Sequence, residues 1–327
     1  MADRDNLPRW RGRRGRYEAW FLTMSAPDGG SGYWIRYGVR SPVAGPVEPR
    51  LWFARFRRGE PGATFGVNAP ADGIRSATDR FELHLGDAAL RPGRATGSVA
   101  GGGHRAAWEL AFDAGESAFR LLPGFLYRDG VVPTRPLTPG PGPRYRGTIE
   151  VDGDVVRIDG FPGHQGHVEG TRHGERWAWA ACSSFDEEGV AFQALCAQGR
   201  RGPVTTPHLS FAALRWGGRW LRFRGASRTR PWSLGRWRFR LAGDGHRLEG
   251  DVTASRRDLV QARYLDPDDA PRWCHHSGVA SCRLVLWERA AGGWRQAARL
   301  ESDGTTQAEW AGRTPAPGVE LRHVEVA

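Results

Sequence analysis

Hydrophobic and polar residues alternate along most of this chain, and a period of two is typical of half-buried β-strands. The alternation is clear in residues 17–24 (YEAWFLTM) and 33–39 (YWIRYGV), and again in residues 279–288. About twenty short segments of this kind recur, and Gly, Pro, Asp or Asn separates nearly all of them. Few segments keep the i, i+3, i+4, i+7 spacing of an amphipathic helix. The pattern predicts an all-β protein of antiparallel barrels or sandwiches.

The strand pattern is interrupted at residues 131–144 (VVPTRPLTPGPGPR), where prolines and glycines dominate. Proline has no backbone N–H and is excluded from central strands. We therefore predict an extended connector at 131–144, between an N-terminal β domain (1–130) and a C-terminal β domain (145–327). The chain has no short fixed repeat of a propeller or solenoid. Two tandem barrels or half-barrels fit better, with a pocket between or within them.

The composition indicates an interior rich in aromatic residues and a basic surface. The chain has 327 residues, among them 15 tryptophans, and a net charge of +11. Every basic residue is arginine. The charge would attract an anionic membrane surface, a nucleic acid or an acidic ligand. The absence of lysine favours codon bias and a solvated arginine surface, because a nucleic-acid binder has no reason to exclude lysine.

Four cysteines occur without a CxxC pair, and the N-terminus is polar and basic rather than apolar. No apolar run approaches the ~20 residues of a membrane-spanning helix. These features predict a reduced cytoplasmic protein with free, mostly buried thiols.

The richest segment for chemistry is 160–185 (GFPGHQGHVEGTRHGERWAWAACSSF). A Gly/Pro-rich turn is expected to carry His164, His167 and His173 just ahead of a strand. In that strand Trp177 and Trp179 share one face and small residues the other. Titratable groups at the mouth of an aromatic surface suit a pocket for an apolar ligand. The alternative is a histidine-bearing loop that leads into a core strand.

Acid–base chemistry is the use that we expect for this segment. His167 or His164 could titrate near neutral pH, and Glu169 in an apolar pocket could remain a proton donor. The alternative for Glu169 is a solvated loop carboxylate. Zinc could be held by the three histidines with Cys182, but their spacing matches no metal-binding pattern, so we expect no metal.

A second group of histidines precedes the strongly apolar strand near the C-terminus. In an extended segment one of His275 and His276 must face inward, and we expect it to line the same cavity as His167. Ser277 follows them, but adjacency in sequence does not make a catalytic triad, and no G-x-S-x-G elbow is present.

The first strand places Glu18 and Trp20 on one face. Glu18 is interpreted as an edge position or as the buried partner of an arginine such as Arg36. On the next strand Trp34 adds another large ring.

Nucleic acid binding is a further hypothesis. Four tryptophans interleave with arginines in residues 215–240 and could stack on the bases of a single strand; they are Trp216, Trp220, Trp232 and Trp237. Half-buried strands with a basic outer face would give the same pattern. No glycine loop lies in the strand-to-helix context of a nucleotide site.

Three segments together resemble the lipocalin-like superfamily of carotenoid 1,2-hydratase, tocopherol cyclase and the lipocalin-like Diels–Alderases. They are residues 17–21 (YEAWF), residues 163–170 followed by the WAW of 177–179, and residues 274–277 (CHHS). The resemblance implies two tandem lipocalin-like β-barrels, a hydrophobic pocket and no organic cofactor.

The resemblance also implies chemistry, since several members protonate an alkene of an isoprenoid or polyketide, or fold a polyene for cyclisation. His167 falls where the family has a basic residue, and Gly166 where it often has the acid. Val168 falls at an Asn position and Glu169 at an aromatic one. Without the usual acid, either Glu169 or a histidine must substitute, or the protein binds without catalysing.

The sequence thus predicts a protein that holds an isoprenoid or polyketide-like molecule and isomerises, cyclises or hydrates it. His167, Glu169 and His164 would move protons, while the rings of Trp177 and Trp179 would stabilise positive charge. The expected ligand-binding residues are Trp20, Trp34, Trp177, Trp179, His275 and His276. The alternatives are a non-catalytic carrier and a single-strand nucleic-acid binder. Expected partners are the hydrophobic molecule and, peripherally, an anionic membrane surface; nucleic acid is disfavoured.

Overall fold

The fold consists of two large antiparallel β-sheets and a separate two-stranded sheet of β15 (Arg200–Arg201) and β16 (Val204–Thr205). It is seen in a computed structural model that describes residues 6–113, 118–201, 204–317 and residue 319. The strands of the first sheet are β1 (Arg16–Ser25), β2 (Ser31–Ser41), β3 (Glu48–Arg57), β4 (Phe65–Pro70), β5 (Ile74–Ser76), β6 (Leu83–Leu85), β7 (Ala88–Arg91), β8 (Arg94–Gly101), β9 (His104–Phe112), β10 (Thr134–Gly140), β11 (Arg144–Val151) and β12 (Asp154–Gly170). Their order is β4-β3-β2-β1-β12-β11-β9-β8-β7-β6-β5, with β10 also paired to β12. This sheet curls into a half-barrel, which we call the first half.

The second sheet closes into an eight-stranded barrel, because β18 also pairs with β20. The remaining strands are β13 (Arg176–Cys182), β14 (Ala191–Gln198), β15 (Arg200–Arg201), β16 (Val204–Thr205), β17 (His208–Trp216), β18 (Arg219–Ser227), β19 (Trp232–Ser233), β20 (Arg236–Gly243), β21 (His246–Thr253), β22 (Val260–Leu265), β23 (Pro271–Ala290) and β24 (Gly293–Gly312). Within the described ranges, short 3-10 helices cover Pro61–Ala63, Gly124–Tyr127 and Arg256–Asp258. The expected all-β fold of two tandem lipocalin-like barrels or half-barrels is confirmed.

The alternation along β1 decides what each face of the first half meets. Trp20, Leu22 and Met24 point into its interior, where they join the buried rings of β2, β3 and β9. Phe21, one residue out of phase, packs on the opposite face. Successive side chains of a strand point to opposite faces. One face of β1 therefore packs in the core of the first half, and the other contacts the second barrel.

Side chains also alternate between two faces along β13 of the second barrel, and here the small residues face inward. On β13, Ala178 and Ala180 face the barrel interior, whereas Trp177 and Trp179 face out toward the first half. The predicted sharing of a face by the two tryptophans is confirmed, and that face is the contact between the two halves.

An aromatic layer therefore joins the halves. We call it the interface cluster; its members are Trp34, Trp52, Phe56, Trp177, Trp179 and Tyr264. The backbones also meet closely, because a Cβ on Gly32 of β2 would overlap the carbonyl oxygen of Gly278 in β23. Only glycine permits such an approach, and Ser25 Oγ donates to the same carbonyl at 2.9 Å.

The division between the sheets differs from the domain boundary read from the sequence. Part of the proline-rich segment forms β10, and β11 and β12 belong to the first sheet. The change of sheet falls at residues 171–175, after the predicted connector at 131–144. Prolines are compatible with β10 because it pairs as a strand with β12 and makes a single bridge, between Thr138 and Phe119, on its other side. A strand at an edge does not need every N–H.

Candidate functional site

The histidine segment is a strand rather than the expected turn. Residues 154–170 form β12 without interruption, and His164 and His167 lie where β12 pairs with β1. The chain bends at Gly160, which has φ +68° and lies at a register shift between β11 and β12. In a strand, residues three apart point to opposite faces. His164 and His167 are therefore separated by the sheet and do not act together.

His167 faces the interior of the first half and pairs with Glu18. Its Nε2 lies 2.7 Å from Glu18 Oε1, and both side chains are fully buried. The ring stacks on Trp20, with 4.8 Å between centroids and 19° between planes. His167 Nδ1 has no hydrogen-bond partner among the described residues. With Glu18 accepting from Nε2–H, Nδ1 is the ring nitrogen that remains without a partner in the described structure.

The N-terminal segment closes this end of the first half over Glu18. The backbone N–H groups of Arg9 and Trp10 donate to the Glu18 carboxylate at 2.8–2.9 Å. The indole N–H of Trp20 donates to Asn6 O at 3.0 Å.

Some residues at this end of the first half have buried polar atoms without a partner. They are Asn6 Oδ1, Trp10 Nε1 and His167 Nδ1, none of which has a partner in the described structure. Buried polar atoms are normally satisfied, so these atoms have hydrogen-bonding capacity that a ligand or water could use.

Glu169 shares the face of His167 but is engaged in ion pairs. Arg135 donates to Glu169 Oε1, and Arg9 and Arg16 place guanidinium nitrogens 3.8 and 3.6 Å from its oxygens. A ligand would have to displace an arginine to reach this carboxylate. The structure thus gives Glu169 a different setting from the apolar pocket and from the solvated loop that were expected, because β10 brings Arg135 across to it.

His164 faces the contact between the halves. Its ring centroid lies 5.3 Å from that of Trp179 and 5.9 Å from that of Phe21. Neither ring nitrogen has a partner among the described residues. Burial lowers the pKa of His164 to about 3, so this imidazole is neutral at physiological pH rather than a titrating acid–base group.

Replacing His164 by Leu should reduce the loss of stability, measured as the free energy of unfolding, when the pH is lowered. An unfolded histidine takes up a proton near pH 6.5, whereas folded His164 does so only near pH 3. Protonation below pH 6.5 therefore stabilises the unfolded state, and the free energy of unfolding of the wild type falls progressively below that pH. From pH 7.5 to 5.0 we expect the wild type to lose about 2 kcal/mol more than His164→Leu. Urea unfolding at both pH values measures this. His246→Leu on β21 is the control, and an equal loss in wild type and His164→Leu would contradict the expectation.

His276 lies in the interface cluster beside Trp34. The two rings stack at 4.7 Å with 11° between planes. His276 Nδ1 lies 3.1 Å from Glu309 Oε1, and Trp177 Nε1 donates to Glu309 Oε2 at 3.0 Å. Burial alone would raise the pKa of Glu309, but the hydrogen bonds from His276 and Trp177 outweigh it and hold the pKa below its usual range.

The expectation that His275 or His276 lines a cavity with His167 is wrong. His276 faces the interface cluster, on the opposite side of the first sheet from His167. His275 faces away from that cluster, with Nδ1 2.8 Å from Trp310 O and Nε2 2.8 Å from Gln261 Oε1. The two neighbours point apart because β23 is extended there.

The arginine-rich strands of residues 215–240 keep most tryptophan surface covered. Trp237 and Trp232 are buried in the second barrel, and Trp220 stacks on Phe119 at 4.5 Å. The exposed positions of β18 and β20 are mainly arginines such as Arg224 and Arg238. Trp232 and Trp237 would have to leave the barrel core to stack on bases, whereas Trp220 lies on the outer face and is partly covered by Phe119.

Metal and membrane features add little. In the described ranges no group of three or more His, Cys, Asp or Glu side chains could hold a metal ion. The four cysteines are buried and unpaired. No helix in the described part of the chain is long and apolar enough to cross a membrane.

Sequence reasoning missed the partner of His167. Glu18 was assigned to an edge or to an arginine such as Arg36, yet it pairs with a histidine 149 positions away. The available signal was the shared face of Glu18 and Trp20. What it could not show was that β1 would lie beside β12 with Trp20 opposite His167.

The fold and this site describe a two-part lipocalin-like β-protein with a buried carboxylate–histidine pair in its first half. No protein-family model matches the chain. It is similar to two proteins of Mycobacterium tuberculosis, Uncharacterized protein MT0513 (strain CDC 1551 / Oshkosh) and Uncharacterized protein Rv0493c (strain ATCC 25618 / H37Rv). Each is 26% identical over 294 residues, which cover 86% of this chain and 85% of the relative.

Two solved structures share the architecture at low identity. A Nitrosomonas europaea protein provisionally called AttH matches with a TM-score of 0.52 and 15% identity, over 91% of this chain and 93% of its own. Kievitone hydratase from Nectria haematococca matches with a TM-score of 0.49 and 11% identity, over 91% and 89%. The first match supports the fold alone, and no conclusion about activity rests on the second.

Proposed function

We propose that this protein binds a hydrophobic small molecule of isoprenoid or polyketide type in its first half and isomerises, cyclises or hydrates it by acid–base chemistry. The carrying observation is the buried pair of Glu18 and His167, stacked on Trp20 with His167 Nδ1 unused. Aromatic surroundings with few polar groups are typical of a site for an apolar ligand.

His167 is the proton-transfer group of this proposal. Nδ1 takes a proton from an acidic C–H or O–H group of the ligand, and the same nitrogen returns it at another carbon. Isomerisation by this route consumes no co-reactant; hydration would add one water. Glu18 stabilises the intermediate imidazolium through Nε2–H, and the face of Trp20 at 4.8 Å adds a favourable cation–π contact.

Access is part of the proposal, because the interior rings are packed. Trp20, Tyr33 and Tyr37 are fully buried. The N-terminal segment binds both Glu18 and Trp20 through a few backbone hydrogen bonds. In this proposal the segment moves away from Glu18 and Trp20 to admit the ligand.

Lipid extraction with native mass spectrometry tests the proposal. The wild type and His167→Gln would be purified in parallel from a mycobacterial host, chosen because the curated relatives are mycobacterial. We expect both to carry an apolar molecule, converted in the wild type and unconverted in the variant.

Other outcomes discriminate between the hypotheses. The same unaltered molecule on both proteins would contradict catalysis and favour the carrier hypothesis. Absence of an apolar molecule from both would contradict ligand binding in the first half.

A further inference from the structure

A small cleft opens at the rim of the contact between the halves, where β1–β3 meet β22. Its volume is about 40 Å³. The cleft is walled by rings, among them Tyr17, Trp52, His173 and Tyr264, and Arg36 extends into it from β2. It lies on the opposite face of the first sheet from His167, since Arg36 pairs in register with Phe21 rather than Trp20. It is therefore a site separate from the proposed catalytic one.

Arg36 forms no direct ion pair in the described part of the chain, although its positive charge is one of the smaller causes that lower the pKa of Glu309. Its guanidinium carbon lies 5.5 Å from the ring centroid of Trp52 and 5.1 Å from that of Tyr264. Within the described ranges it makes no hydrogen bond or ion pair, so its five N–H donors are unused. A half-buried guanidinium over aromatic faces has lost part of its hydration, and an anion would recover that loss.

The other charged side chains of the cleft have polar partners, among them Arg50, whose Nε donates to Asn68 Oδ1 at 2.9 Å. Glu48, a carboxylate in the lining, accepts a fork of two hydrogen bonds from Arg40 at 2.8 and 2.9 Å. His173 Nδ1 lies 2.7 Å from Asp266 Oδ1, and burial lowers the pKa of His173 despite that contact. Arg36 is thus the charge that is left for a ligand.

The cleft is small. A cavity needs about 10–15 Å³ to hold one water, so 40 Å³ suits a small anionic group. A carboxylate is such a group, and its two oxygens match the guanidinium fork. We infer that this cleft binds the carboxylate of an acidic organic molecule through Arg36, with the apolar remainder lying along the exposed edge of the aromatic wall.

Calorimetric titration with sodium octanoate tests this inference. We expect saturable binding of one octanoate per chain, weakened by at least about tenfold in Arg36→Gln, because a charge-assisted fork is lost. Gly38→Val keeps every charge and narrows the cleft, since a Cβ at Gly38 would lie 3.1 Å from Arg36 Nη1. It should weaken octanoate binding as well.

Arg224→Gln is the matched control, because it removes the same charge from an exposed position of β18. It should change octanoate binding less than twofold, and octanol should show no dependence on Arg36. The inference fails if octanoate does not saturate, if Arg36→Gln and Arg224→Gln weaken it equally, or if inorganic phosphate competes through Arg36 as well as octanoate does. Thermal unfolding of each variant confirms that the protein tested is folded.

Discussion

His167→Gln should lower conversion of the bound apolar molecule by about 100-fold or more, the usual loss when a positioned acid–base group is removed. The glutamine can still hydrogen-bond Glu18 but cannot carry a proton between ligand atoms. Glu18 also keeps its two backbone donors, Arg9 and Trp10. Folding should therefore survive, and thermal unfolding measured beside single-turnover conversion separates the two effects.

Glu18→Gln is the informative companion variant. It keeps the hydrogen bond to His167 and removes the charge that stabilises the imidazolium, so we expect a loss of activity that is smaller than that of His167→Gln. His246→Gln, on the second barrel, is the control for a histidine change as such. Equal conversion by the wild type and His167→Gln would remove His167 from the mechanism.

The same pair makes a prediction that needs no substrate. Nitrogen-15 NMR of the His167 ring should show the neutral tautomer with hydrogen on Nε2 and a bare Nδ1, because Glu18 faces Nε2. The opposite tautomer would leave no base directed at the ligand and would contradict the mechanism.

Gly166→Ala should destabilise the protein by about 1–3 kcal/mol, the usual cost of forcing a methyl group into a packed site. A Cβ at Gly166 would overlap the ring of Phe21, which lies across β12 at this point. The Phe21 ring in turn contacts Trp179 edge-on at 5.9 Å between centroids. The strain thus spreads into the contact between the halves, and urea unfolding measures it.

A double-mutant cycle isolates the contact. Phe21→Leu in the Gly166→Ala background should recover part of the loss, so the two changes should cost less together than the sum of each alone. Gly124→Ala is the control, because a Cβ there meets nothing within 4 Å. If the losses of the two single variants simply add in the double variant, the Phe21 ring is not what makes a side chain at position 166 unfavourable.

This packing also explains why position 166 has glycine instead of the acid that the family resemblance led us to expect there. A carboxylate at that position would point to the face of Phe21 and His164, away from His167. Restoring the acid by Gly166→Glu should therefore destabilise the contact between the halves without raising conversion.

The sequence by itself determined the all-β class and, within each strand, which residues share a face. Alternation in β1 placed Glu18 with Trp20, and alternation in β13 placed Trp177 with Trp179, because side-chain direction in a strand is a local property. The all-β class followed from the same local signal. The histidine segment looked like a turn because its glycines suit one, yet they serve a bend at Gly160 and close ring packing at Gly166.

Only the tertiary structure decided which faces meet. The pairing of β1 with β12 joins Glu18 to His167 and sets His164 on the other side of the sheet. Strand pairing across more than a hundred residues depends on the packing of the whole sheet, and no local pattern encodes it. For the same physical reason the partners of Glu169, the aromatic surroundings of Arg36 and the change of sheet at residues 171–175 emerged only once the strands were assembled.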